Sequence, residues 1–374
     1  MTGDDAMTQG SNELTHVPAE KAPAVAKALV GFEIDPNFKK WPVLDPDVRY
    51  KRGKLDIRQE LKVDPAIGLP DYSGPFKPDL RFTDFSREQL VRMLEMCNDY
   101  RAVWVGAWLD EVENYFGRQE RLDIEWIAWR DVLGPSLIPM MQEYLPEGIL
   151  DTRTAAIDLG RFVGERPAGE EDLQIDYSIA FAPRPEFTDL PKEELVTMLL
   201  GSHEYILACN QAVAMQVVIR HSLDEMYSIS WDIWSAKVLP AVMDLKARHM
   251  RMSGNDVAAF MKDLQIDASA FPGKKFDLTF EMPEPDVGVM TFNRCAAPTM
   301  WEALGREDIL EKGCHMTCPA SIEETAKLYN PNMKMDVLAI PPRVDDTQVC
   351  CKWQLSMRTP DDPEYVRVEL TSKA

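Results

Sequence analysis

The chain lacks most of the features that name a function at once. It has no run of about 18 apolar residues, which a membrane-spanning helix requires. Its first residues, MTGDDAMTQGSNEL, contain neither a basic nor an apolar stretch, so no secretory signal is expected. Basic residues are in the minority: 41 Lys and Arg against 62 Asp and Glu leave a net charge of −21. Nucleic acid and anionic membrane surfaces are bound through basic side chains that displace counterions, so neither is an expected partner. No G-x-G-x-x-G follows a strand, and there is no Walker lysine loop, H-E-x-x-H or G-x-S-x-G, so no nucleotide cofactor is expected. The acidic stretches lack EF-hand spacing. The seven Cys are an odd number, which argues against a complete disulfide framework. Together these exclusions describe a cytoplasmic protein whose cysteines are thiols, ligands or catalytic groups and whose partner is a small molecule.

What is present is a duplication. Residues 71–135 recur as residues 176–240, with a constant offset of 105 and no gap. FTDFSREQLVRML (82–94) matches FTDLPKEELVTML (187–199), Trp126 and Trp129 match Trp231 and Trp234, and Pro135 matches Pro240. The copies share 21 identities over 65 positions, against about four by chance. Each copy predicts a long helix, opened by a Ser86-x-x-Gln89 capping pattern or by Pro191 and closed or kinked at Gly117. A second helix follows and is expected to stop at Gly134-Pro135. The tryptophans three apart on that helix read as core packing.

Upstream, residues 1–70 read as a tail and an extended Pro- and Asp-rich arm lying over its own chain or a partner subunit, which makes a homo-oligomer the expected assembly. Downstream, KFDLTFEMPE and VGVMTFNRC alternate as strands of a hairpin, helical stretches follow, and MKMDVLAI and VCCKWQLSMR alternate again. The expected organisation is an arm (1–70), helical repeat one (71–175), helical repeat two (176–250) and a cysteine-bearing domain (251–374). The expected fold class is α+β, mainly α, with two tandem helical units before an antiparallel-sheet domain.

Two residue groups carry candidate chemistry. The first is His203-Glu204-Tyr205 in the long helix of the second copy, where the first copy has Asn98-Asp99-Tyr100. A type kept in both copies belongs to the shared fold, whereas His203 distinguishes one copy and titrates near neutrality. Glu225 lies further along the same copy and matches Glu120. His221 follows His203 by 18 residues. That is about 27 Å of straight helix, too far for one metal to reach both. The second group is Cys295, Cys314, Cys318, Cys350 and Cys351. Cys314 and Cys318 share a helix face if the segment is helical, and the adjacent Cys350 and Cys351 point to opposite faces of a strand. Cys295, Cys314, Cys318 and Cys351 suit zinc or iron; buried apolar thiols and a reactive thiolate are the other readings.

The run FNRCAAPTMWEALGREDILEKGCHMTC, the Pro341-Pro342 pair and Cys351-Lys352-Trp353 resemble a bacterial group related to L-2-amino-thiazoline-4-carboxylate hydrolase. In that resemblance Cys295, Leu304-Gly305 and Cys314 are the motif positions, and His203-Glu204 and Glu225 match its helical part. It implies a ring-opening hydrolase or a small-ligand-binding relative. The resulting expectation is hydrolysis, or a related lyase step, on a small organic molecule in a pocket between the second repeat and the C-terminal domain. His203, Glu204 and Cys314 would be catalytic, and Tyr205 and Glu225 would contact substrate. The alternative is a ligand or metal sensor without turnover.

Overall fold

The computed structural model describes residues 68–146, 162, 164–169, 173–177, 181–273, 275–303, 305, 307–343 and 348–366. Most of the expected arm, and Leu304, therefore lie outside the described residues. The fold is mainly helical and ends in a four-stranded antiparallel sheet, the expected class.

Helix α1 (Arg87–Phe116) opens where Ser86 Oγ accepts the Gln89 N–H at 3.1 Å. The Gln89 amide donates instead to the His249 carbonyl at 2.9 Å. Gly117 ends the helix with φ +88, a left-handed conformation that a Cβ would strain. Helix α2 (Arg118–Ala128) follows. It does not stop at Gly134-Pro135 as the sequence suggested. Residues Trp129–Leu133 widen into a π-turn, and α3 (Gly134–Tyr144) continues the rod.

Proline explains both the error and the π-turn. Pro135 has no N–H, so an α-helix running through it would leave the carbonyl four residues back without its donor. The chain widens first, and the Gly134 N–H bonds to the Trp129 carbonyl, five residues back. The second copy repeats the solution. Helix α4 (Lys192–Arg220) is followed by α5 (Leu223–Ile233), a π-turn (Trp234–Val238) and α6 (Leu239–Met250). The bounds of α5 and its π-turn are those of α2 and its π-turn plus 105. Here Leu239 N–H reaches the Trp234 carbonyl, one residue before Pro240.

The described residues of Cys97–Phe187 and Thr197–Ala241 cluster as one compact unit, and those of Ile57–Met96, Thr188–Val196 and Val242–Ala374 as another. Each unit thus contains parts of both copies.

In the first unit α1 and α4 run side by side in the same direction. Arg101 meets Ser202, Trp108 donates to Asn210, and Phe116 stacks on His221, so contacts advance together along both helices. Helix α4 is apolar around most of its circumference and is enclosed accordingly: every residue from Gly201 to Ile206 is buried. The enclosure is tight at Gly201, where a Cβ would stand 2.5 Å from Tyr144 Cβ and 2.7 Å from Phe181.

In the second unit α7 (Val257–Gln265) is capped by Asp256, which accepts from the Ala259 N–H at 2.8 Å. Strands β1 (Phe276–Glu284) and β2 (Val287–Cys295) form the expected hairpin. Helices α8 (Ala296–Ala303) and α9 (Glu307–Leu310) lead into a third π-turn, Glu311–Thr317, and α10 (Cys318–Tyr329). Again a proline follows: Cys318 N–H bonds to Gly313 O just before Pro319. Strands β3 (Met333–Ala339) and β4 (Cys351–Met357) complete a sheet of order β1-β2-β4-β3. Val257, Phe260 and Met261 of α7 pack with Ala326, Met333 and Leu355 to form its core.

A buried ion network joins α6, α7 and α10. Lys246 Nζ lies 2.7 Å from Asp263 and 2.5 Å from Asp267, and Tyr329 donates to Asp263 at 2.9 Å. Burial opposes the charge on Lys246, but the two carboxylates outweigh it and hold the amine above its ordinary 10.5. A group raised on folding contributes stability in full below its unfolded value and loses it as the pH climbs through the folded one. Removing the cation would leave buried carboxylates without it. Lys246→Met is therefore expected to lower the unfolding free energy by about 3–5 kcal/mol near neutral pH. Urea denaturation of both proteins should show that gap narrowing once the pH passes 10.5. Gly201→Ala should cost about 1–3 kcal/mol in the same assay, because the new methyl meets packed rings.

Candidate functional site

The residues singled out by sequence fall into two groups, one in each compact unit. His203, Glu204 and Tyr205 belong to the helical unit, and the five C-terminal cysteines belong to the unit with the sheet.

In the helical unit, Ser202, His203, Glu204 and Tyr205 are all at most 2% exposed. Successive helical residues point about 100° apart, so four buried in a row require cover on every side. Ser202, Tyr205 and Cys209 form the stripe that faces α1. Opposite them lies Arg101, fully buried. Its Nε donates to the Tyr177 carbonyl at 2.6 Å, one terminal nitrogen to Asn98 Oδ1 at 2.7 Å and the other to Ser202 Oγ at 3.4 Å. Its guanidinium carbon stands 4.7 Å from the centre of the Tyr205 ring. Tyr177 in turn donates to the buried Glu125 at 2.9 Å.

Desolvation, reinforced by the neighbouring Cys209, pushes the Tyr205 hydroxyl well above its ordinary range. Desolvation likewise raises the Cys209 thiol to about 12. Both groups are therefore neutral at physiological pH, and they lie beside the Arg101 guanidinium. A guanidinium and a phenol hydroxyl are donors of the kind that stabilise negative charge, and a histidine lies in the same turn of α4. Comparison of the copies found His203 against Asn98 but passed over Arg101. The same alignment places Ile206 opposite Arg101, a contrast of charge with hydrocarbon that marks the position equally well.

Glu225 and His221 make contacts at the junction of α4 and α5. Ser222 Oγ accepts the Glu225 N–H at 3.1 Å and donates to the Glu225 carboxylate at 2.8 Å, closing a cap on α5. In the first copy Gly117 replaces that serine, and Glu120 is released. It accepts two hydrogen bonds from Arg220, at 2.5 and 2.7 Å, and lies 2.9 Å from His221 Nε2. His221 lies flat on Phe116, the residue equivalent to it in the first copy, with ring centres 3.6 Å apart. Helix α4 is unbroken from Lys192 to Arg220, so His203 and His221 stay apart along it.

In the sheet unit the ladder brings distant cysteines together. Cys351 opens β4 opposite Phe292, and Cys350 N–H bonds to the Phe292 carbonyl at 2.8 Å. The Cys295 N–H points at Cys350 Sγ, 3.2 Å away. Cys314 lies in the third π-turn and Cys318 begins α10. Beside them Arg343 pairs with Glu302 at 2.7 Å, and His315 Nε2 lies 2.5 Å from the Pro341 carbonyl. All seven cysteines are free. Among the described residues no three His, Cys, Asp or Glu side chains are grouped closely enough to hold a metal ion as they stand.

Burial drives the Cys314 thiol above the cysteine range and raises Cys351 to about 12 and Cys318 to about 11. Cys318 is exposed as a residue. Protonated thiols are weak nucleophiles, which disfavours an unassisted Cys314 thiolate.

The corner around Glu120 gives a testable pH dependence. The hydrogen bonds from Arg220, working against burial, hold this carboxyl below its ordinary 4.5. A lowered group contributes stability above its unfolded value and loses it as the pH falls through the folded one. Glu120→Gln is expected to cost about 1 kcal/mol at about pH 7, a value discounted for partial exposure. Thermal unfolding at about pH 3 should find the two proteins closer together.

No helix among the described residues is long and apolar enough to cross a membrane. Set against protein-family models, curated proteins and solved structures, the chain matches none, so the resemblance to the thiazoline-carboxylate hydrolase group rests on the quoted residues alone.

Proposed function

We propose that this chain is a cytoplasmic enzyme acting on a small organic molecule by hydrolysis or a related lyase step, with the buried polar turn of α4 as its chemical centre. One observation carries this reading: Ser202, His203, Glu204 and Tyr205 are at most 2% exposed, and Arg101 is fully buried across from them. Burying so many polar groups opposes folding by several kcal/mol unless each is satisfied. A helix that needed only packing would hold apolar residues there. The cytoplasmic assignment is supported by seven free cysteines.

The roles follow from residue chemistry. His203 moves the proton, and Glu204 supports it as second acid or base. Arg101 and Tyr205 stabilise negative charge forming on the substrate. The thiazoline-type resemblance suggests where to begin: cyclic amides, thioamidates and related small rings, followed by mass spectrometry for gain of water or loss of a fragment.

His203→Gln, which keeps size and polarity, is expected to lower kcat/KM by about 10²–10⁴ with little change in unfolding temperature. Arg101→Met should reduce kcat more than it raises KM, because the charge it answers forms in the transition state. An activity that survives in His203→Gln at the wild-type kcat/KM would remove this assignment. Tight binding of the same compounds without turnover would replace the enzyme by a sensor.

A further inference from the structure

We infer that the outer edge of β3 joins two copies of this chain, by antiparallel pairing of β3 with β3 of the second copy about Met335. The proposal does not depend on the chemistry assigned to α4.

The first support is an open edge whose backbone direction is defined. The order β1-β2-β4-β3 leaves β3 at one end of the sheet, and among the described residues only β4 pairs with it. The Arg358 N–H bonds to the Asn332 carbonyl at 2.7 Å, and Lys334 and Asp336 follow in the same phase, opposite Ser356 and Gln354. Backbone groups alternate in direction along an antiparallel strand, so those of Met335 and Val337 point away from β4. Proteins commonly guard such an edge with proline, a bulge or a covering segment. Strand β3 contains no proline, and its register shift comes only after Val337. Val337 and Leu338 on it are 45% and 50% exposed, and Leu328 of α10, the helix that leads into β3, is exposed with them.

The second support is charge, and it names the occupant. Lys334 and Asp336 share one face of β3, with charged atoms 3.6 Å apart and both side chains partly exposed. A two-fold axis across the strand puts the same edge on both partners and makes them antiparallel. With the axis at Met335, Lys334 of each copy faces Asp336 of the other. The two Met335 residues then exchange N–H and C=O hydrogen bonds, because both groups point outward. The Val337 N–H meets the Met333 carbonyl, which holds Arg358 through one of its two lone pairs. Moving the axis one residue, to Asp336, sets two carboxylates face to face, and like charges directly opposite are destabilising. A lysine alone would only keep other strands away. Paired with an acid two residues on, it selects one register against one partner strand, a second β3.

The test measures the mass of the full chain by sedimentation equilibrium, over a concentration series that reaches the high micromolar range. The expected result is a reversible equilibrium between monomer and dimer. Lys334→Asp and Asp336→Lys should each raise its dissociation constant roughly tenfold or more, because two attractive pairs become repulsive. Mixing these two variants should restore the dimer, since one edge then carries two acids and the other two bases. The double variant Lys334→Asp/Asp336→Lys, which exchanges the pair, should dimerise like the wild type. Met335→Pro removes an N–H that points away from β4, and should abolish the dimer while circular dichroism stays that of the wild type. A chain that remains monomeric across the series overturns the proposal and leaves the edge to a strand of another protein. A dimer of unchanged affinity in both single variants, or one that mixing them does not restore, overturns it equally. Should Met335→Pro fail to fold, the charge variants decide, since both positions are at the surface.

Discussion

Phe116 lies flat on His221, Trp108 donates to Asn210 and Arg101 reaches Ser202, and these contacts fix α1 and α4 in parallel register over four turns. Much of the helical unit follows from that pairing. Because α4 is apolar nearly all round, it must be covered on several sides, and α1 supplies one of them. The same contact places Arg101 beneath the Tyr205 ring and in reach of the Tyr177 carbonyl. The Arg101–Ser202 and Trp108–Asn210 hydrogen bonds both run between the two helices, so sliding one past the other would break two at once.

Much of this frame could be read from the chain. The strands were visible because Phe276, Leu278, Phe280 and Met282 alternate with Asp277, Thr279 and Glu281, and those two sets differ in burial as the pattern implies. The long helices were visible from apolar spacing and from Gly117. The continuation through Gly134-Pro135 was hidden, because proline is read as a stop and its rescue depends on a five-residue hydrogen bond that no spacing rule anticipates. At the polar turn, His203 could be read because it differs between the copies. Its surroundings could not, since Arg101, Tyr177 and Glu125 are 76 and 52 residues apart along the chain in their successive pairings. The cysteines were an intermediate case. Their number and rough placement were plain, but the nearness of Cys295 to Cys350 and Cys351 follows only from the β2–β4 register.

The copies also show how one sequence change redistributes a carboxylate. With serine at position 222, Glu225 closes its own helix cap. With glycine at 117, the equivalent Glu120 is unclaimed locally and binds Arg220 and His221 of the other copy. One pair of equivalent positions thus stabilises a single helix, and the other ties two helices together. Divergence between duplicated segments has altered the range of the interaction while keeping its chemistry.

The π-turns have an effect beyond accommodating proline. Inserting one extra residue into a turn rotates everything downstream by about 100° relative to the residues before it. In the first copy the rod is buried on both sides of the turn, at Trp126 and Trp129 and again at Leu137, Met140 and Met141. The phase of each rod's second half is set by where a single missing amide proton falls. Moving that proline by one position would re-aim the second half of the rod, which makes Pro135 and Pro240 determinants of direction as much as of local geometry.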